Sequence, residues 1–245
     1  MTIVGEQHAA PLHVITGRTL GNYLKKVFLV AAKDLRIEFR SREKIYSIML
    51  FSLLVMVIFN FAFEPGAEYI NDVAPGILWV AFTFAASLGL ARSFNLEKEE
   101  DCMQGLMLSP LDRGGIYLGK VLGNFIFAMA IELLSLPFFA VFFNLSLTSA
   151  LPGLMVVIVL ATFGFITVGT LFSALSVGVR GGDMILPLLL FPMQVPVIIS
   201  AVKSTGMIMA GRGVDEYSQW LKLLAAFDII FFAASFVVFE YLIEE

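Results

Sequence analysis

Six blocks of about twenty apolar residues constrain this chain more than anything else in it. They fall at 45–63, 73–94, 119–144, 151–178, 184–202 and 219–243, and each is closed by a polar or Gly/Pro-containing break. Twenty helical residues rise ~30 Å, the thickness of a bilayer's hydrocarbon core. In lipid every backbone polar group must be satisfied within the protein, so such blocks span as helices. Composition agrees: 59% of the residues are hydrophobic and 15% charged, against ~45–50% and ~25% in soluble domains. The expected fold is all-α: a polytopic membrane protein with six transmembrane helices and an N-terminal amphipathic helix at the interface.

The chain before the first block divides in two. Residues 1–19 lack the apolar core and cleavage pattern of a signal peptide and are expected to be poorly ordered. Both histidines, His8 and His13, lie there. Residues 20–44 carry Leu20, Leu24, Val27, Phe28, Ala31, Leu35 and Phe39 at helical spacing, with Lys26, Lys33, Arg36, Arg40 and Lys44 on other faces. A basic amphipathic helix before a span suits a membrane surface, its apolar side in the acyl boundary. The organisation is thus a tail and amphipathic helix (1–44) followed by a six-span membrane domain (45–243).

Charge placement sets the orientation. With the N-terminus inside, thirteen Lys/Arg fall on the cytoplasmic side and three, Lys203, Arg212 and Lys222, on the other. Positively charged loops stay in the cytoplasm, so both termini are expected there. The fifth block carries Pro187, Pro192 and Pro196. It is expected to be kinked or broken and to face protein, because neighbours must satisfy the freed backbone groups. The stretch 203–218 reads as the longest external loop, either an interfacial or re-entrant segment or ordinary loop.

The longest polar interruption, 92–120, is then cytoplasmic. It opens with Glu97, Glu99, Glu100 and Asp101, continues through a helix-compatible run and breaks at Ser109-Pro110. Residues 97–110 are read as a short helix. Acids at its start complement the macrodipole, and Pro110 stops it. Met103, Leu106 and Met107 share a face at i, i+3 and i+4 and offer an apolar anchor for a partner's groove. The segment is read as a coupling element.

Residues suited to chemistry are few. There is no Ser/His/Asp set, no carboxylate pair and no metal cluster, so no catalytic or metal site is assigned. The single cysteine, Cys102, excludes an internal disulfide. Gly114 to Lys120 matches the first part of a phosphate-binding loop, but Val121 stands where the Mg²⁺-binding hydroxyl belongs. Two acids lie inside spans. Glu132 sits near the middle of the third and must face the bundle interior, neutral or paired. It is either a point on a substrate or coupling path or a buried acid bonded to a neighbouring helix. Asp228 reads as nearer the outer end of the sixth span, where Lys222 or water can reach it.

The segments KDLRIEFRSRE (33–43), APGILWVAFTFAASLGL (74–90), EKEEDCMQGLMLSPLDRGGIYLGK (97–120) and IELLSLPFFAVFFNL (131–145) resemble the membrane subunits of ABC-type exporters. More closely they resemble the haem exporter protein B family, CcmB, of cytochrome c maturation. The resemblance covers nearly all the chain after residue 20. It implies an inner-membrane, permease-like subunit that is not itself an enzyme, working with a separate ABC ATPase subunit that binds ATP. It further implies a haem-handling membrane subunit and a small single-span subunit. A second copy of the chain is expected beside it, and no nucleic acid. Haem iron is commonly held by His, Cys, Met or Tyr. With no histidine in the spans or on the external side, haem is expected on another subunit. The alternative is a permease of the same architecture exporting lipid or drug-like substrates.

Overall fold

The computed structural model describes residues 17–63, 70–99, 111–145, 150–177 and 182–242. Residues 1–16 and 100–110 lie outside them, as do the short segments 64–69, 146–149, 178–181 and 243–245. The described residues form seven helices: α1 (Gly17–Arg40), α2 (Arg42–Ala62), α3 (Ile70–Glu99), α4 (Arg113–Phe142), α5 (Leu151–Val177), α6 (Gly182–Met209) and α7 (Val214–Leu242). Six of them, α2 to α7, are long and apolar enough to cross a membrane. Each sequence block overlaps one of these helices, with ends that differ by up to seven residues.

α5 is the axis of the bundle. Its sequence is apolar almost all round, the pattern of a helix enclosed by others, and α3, α4, α6 and α7 all pack on it. Leu154, Val157, Ile158, Ala161 and Ile166 of α5 are fully enclosed. α2 and α7 lie at the periphery. Tyr46, Leu50, Ile58 and Phe61 of α2, and Ile229 and Ile230 of α7, point outward. An outward apolar side chain is what a lipid-facing helix requires.

Three expectations about ends and bends are corrected. The stretch 203–218 is not a long loop. α6 continues to Met209, α7 starts at Val214, and Met207, Ile208 and Met209 are helical. The stop is Gly211, in left-handed backbone at φ 70°. Its N–H donates to the Ile208 carbonyl at 3.0 Å, and the Arg212 N–H donates to the Met207 carbonyl at 2.9 Å. That pair of bonds is a Schellman stop, which glycine enters without a Cβ penalty. α4 ends the same way at Asn144, φ 50°, with Leu145 N–H donating to the Ala140 carbonyl.

The second correction concerns α6, which runs unbroken through Pro187, Pro192 and Pro196. Pro192 and Pro196 are exposed, while Leu190, Gln194, Val197 and Ala201 face inward. The inner face is kept for side chains that pack and hydrogen-bond. The third concerns α3, which runs past Phe94 to Glu99. Glu97 and Glu99 therefore close a spanning helix rather than open a new one. At about 1.5 Å per residue, the 30 residues of α3 exceed the ~30 Å hydrocarbon thickness, so the helix protrudes.

Candidate functional site

α1 is held by a face that is half apolar and half acidic. Val27, Ala31, Asp34 and Glu38 recur every three or four residues and are buried. They meet α4 along Gly119 and Gly123. A Cβ on Gly119 would stand 2.7 Å from Val30 Cβ and 3.0 Å from the Val27 carbonyl oxygen, and one on Gly123 would touch Asp34 and Ala31. Two glycines four apart thus let the backbones approach closely, a recurring device of helix pairs in membranes. The adjacent side of α1 carries Leu24, Phe28 and Phe39, which remain exposed, as a helix lying in the acyl boundary should.

Ion pairs fasten this contact. Lys120 of α4, 1% exposed, holds Asp34 at 3.4 Å, and Lys33 reaches the other Asp34 oxygen at 2.9 Å. Lys44 of α2 pairs with Glu38 of α1, both almost wholly buried. The Lys44 ammonium also lies 5.4 Å from the Phe127 ring centre, and Phe39 stacks edge-on against that ring at 5.7 Å. At the start of α4, the Tyr23 hydroxyl donates to Asp112 Oδ2 at 3.4 Å. Burial, then the Asp112 carboxylate, holds the Tyr23 phenol above its usual range, so it stays a donor. α1 is therefore fastened near the starts of α2 and α4.

The bundle interior is polar in places. Glu132 is buried on α4, and Thr162 of α5 donates to its Oε2 at 2.6 Å. Asn124 donates to Thr170 at 3.2 Å, Tyr117 to the Thr167 carbonyl at 3.0 Å, and the Trp79 indole to Thr205 at 2.9 Å. A cavity of about 20 Å³ opens on one side of Glu132 and one of about 10 Å³ on the other. Each is the size of one water molecule. We expect Glu132→Gln to keep near-normal membrane yield and thermal midpoint, since the amide still accepts from Thr162. Glu132→Lys should lose most of the yield, because an unpaired cation there costs ~2.5–3.5 kcal/mol. Equal yields of the two would contradict the burial.

Asp228 is not near an outer end. It stands at the centre of α7, buried against Gly164 of α5, and Lys222 is exposed elsewhere on the helix. Neither Asp228 oxygen has a hydrogen-bond partner among the described residues. Of the coupling residues, Glu97 and Glu99 lie in the last turn of α3. Glu100, Asp101, Met103, Leu106, Met107 and Pro110 fall outside the described residues. The sequence reading missed Asp34, Glu38, Lys44 and Lys120 as paired groups. The available signal was Gly115, Gly119 and Gly123 at four-residue spacing around a basic residue just inside an apolar span. The phosphate-loop look-alike occupies the first turns of α4, and its lysine is the one that holds Asp34.

Six spans, one of them the buried axis, with an amphipathic helix clamped to two others by ion pairs, define a permease-type helical membrane protein. The sequence profile of the CcmB protein family matches residues 25–240, which takes in α1 from its third turn and nearly all of the six spans. The chain belongs to the CcmB family. It is 28% identical to heme exporter protein B of Pseudomonas aeruginosa over 198 residues, 81% of this chain and 88% of the relative. It is 32% identical to heme exporter protein B of Rhodobacter capsulatus over 168 residues, 69% of this chain and 77% of the relative. For heme exporter protein B of Paracoccus denitrificans the identity is 30% over 179 residues, 73% and 82% of the two chains. It is thus a membrane protein of a bacterial family.

Proposed function

We infer that the chain is the membrane subunit of an ABC-type complex that serves haem delivery to c-type cytochromes, with ATP hydrolysed on a separate subunit. The observation that carries this reading is the extent of the family match. It takes in the clamped part of α1 and nearly all of the spans, and the relatives it resembles are heme exporter proteins B. The complex includes the ATPase, a haem-handling membrane subunit, a small single-span subunit and a second copy of this chain. Haem sits on a companion subunit. In support, both histidines, His8 and His13, lie before the spans, and haem iron is commonly held by His, Cys, Met or Tyr.

The protruding end of α3 and the segment after it form the docking element for the ATPase. Met103, Leu106 and Met107 are its apolar anchor, and Glu97, Glu99, Glu100, Asp101 and Pro110 frame it. Closure of the ATPase on this element moves the inner ends of α3 and α4, and α1 travels with α4 through Lys120 and Asp34. Leu106→Asp puts a charge into the apolar contact. The variant is expected to insert normally into membranes and to lose the ATPase subunit on affinity purification. Recovery of the ATPase at wild-type yield would refute the docking element.

Both termini are cytoplasmic, in a bacterial inner membrane, by the thirteen-to-three charge bias. Exposed reporter positions at opposite ends of the bundle are Asn22 and Glu216. In a Cys102→Ser background, an impermeant thiol reagent added to intact spheroplasts should label Glu216→Cys and spare Asn22→Cys. The reverse pattern would invert the topology.

A further inference from the structure

Glu132 makes one hydrogen bond, from Thr162, and no described residue binds its second oxygen. It lines both interior cavities, one on each side. The larger is also lined by Asn124 and the small Ala128, on the side of α4 that leads to Lys120 and Asp34. The smaller is lined by Thr83 of α3 and Thr162 of α5. Ala86 forms a wall of both. Glu132 is the only titratable residue among those lining either cavity. The nearest charged groups along its own helix are at Lys120, three turns away. The residues that face it from α2, α3, α5 and α6 in these cavities, such as Ile48, Thr83, Phe165 and Val197, are uncharged.

A cavity takes up water when it is roomy enough for one molecule and offers polar partners. Each space has room for about one molecule, and Glu132, with Asn124 in one and Thr83 in the other, supplies the few polar atoms of an otherwise apolar wall. A carboxylate at mid-membrane without a cation is expensive, but a carboxylic acid beside water is not. The carboxyl can accept from Thr162 through Oε2 and donate its proton to a water from the other oxygen. At the far wall of the larger cavity stands Asn124, two turns along α4 from Glu132. Asn124 donates to Thr170, and one turn further the Lys120–Asp34 pair reaches the inner end of α4.

We propose that Glu132 is a proton-binding site at the centre of the bundle, served by one buried water on each side and exchanging its proton through the Asn124 side. The ligand is the proton itself: bulk water supplies it, it binds the carboxylate to give the neutral acid, and it leaves by the same route. The site is independent of the cargo the complex handles.

Infrared difference spectroscopy of the full chain, purified with its accompanying subunits into lipid nanodiscs, tests this. An Asp228→Asn background removes the other buried mid-span carboxyl. At neutral pH the background protein should show a protonated-carboxyl band that is lost in Glu132→Gln, and the band should shift promptly in D₂O. Ala86→Val narrows both cavities without touching the carboxyl. It should keep the band and slow its deuterium shift by about an order of magnitude, since the water space is gone. Ala86→Val also guards against a misfolded Glu132→Gln. Absence of a Glu132 carboxyl band, an ionised carboxylate signal in its place, or exchange at the unmodified rate in Ala86→Val would each overturn the proposal.

Discussion

Asp34→Ala is expected to destabilise the protein by about 3–5 kcal/mol, the usual cost of breaking a buried ion pair from one side. Asp34 is the carboxylate that Lys33 and Lys120 share, and Lys120 is 1% exposed. Removing it leaves a buried ammonium without the charge it faces across the α1–α4 contact. Lys120→Met should cost less, because Asp34 is still held by the partly exposed Lys33. The double variant Asp34→Leu/Lys120→Met should recover much of the loss, since paired apolar replacements of similar volume are often neutral or better. Thermal unfolding in detergent, run as a double-mutant cycle, measures all three. Additive losses would mean the pair is not coupled and that packing alone holds α1.

Gly119→Val is the second large effect. The new side chain would start 2.7 Å from Val30 Cβ and 3.0 Å from a backbone oxygen of α1. Backbone cannot move aside as a flexible side chain can. Overpacking of this kind costs about 1–3 kcal/mol, and relief here requires α1 to lift off α4. Lifting α1 also pulls apart Asp34 and Lys120 one residue away, so the loss should reach the top of that range. Gly76→Ala is the control. Nothing stands within 4 Å of a Cβ there, and the helix should gain about 0.5–1 kcal/mol. Proteolysis at the α1–α2 junction at Ser41 should rise in Gly119→Val and stay unchanged in Gly76→Ala. If Gly119→Val unfolds at the wild-type temperature with the same protection, the close approach of the two helices is wrong.

Much of this architecture was legible in the sequence, and the reasons are specific. A span announces itself by length, because lipid leaves an apolar block of twenty residues little choice but helix. Helix ends are announced by single residues, and those were harder to read. Gly211 stops α6, but it stands in KSTGMIMAGRGVD with two other glycines, so the stretch looked like loop. The run Glu97 to Asp101 looked like a helix start because acids favour one, yet helicity carried over from the span and took in Glu97 and Glu99.

The apolar stripe of α1 was read as one face, and the structure divides it. Leu24, Phe28 and Phe39 are exposed, whereas Val27 and Ala31 are buried with Asp34 and Glu38. Those two acids find cations 86 and 6 residues away along the chain. Pairing over such distances leaves no local periodicity to detect. Glu132 could be placed in the interior from its cost alone, but Thr162 as its partner could not, because nothing local links α4 to α5. Asp228 was misplaced because the sixth block was started at Gln219 instead of Val214, which moved its midpoint.

The most direct test of the account is the covalently bound haem of membrane c-type cytochromes in a host strain lacking this chain, with and without its restoration. The account predicts near-complete loss of these cytochromes, with their polypeptides still made, and full recovery when the chain returns. Unchanged c-type cytochrome content in the strain without it would contradict the assignment to haem delivery.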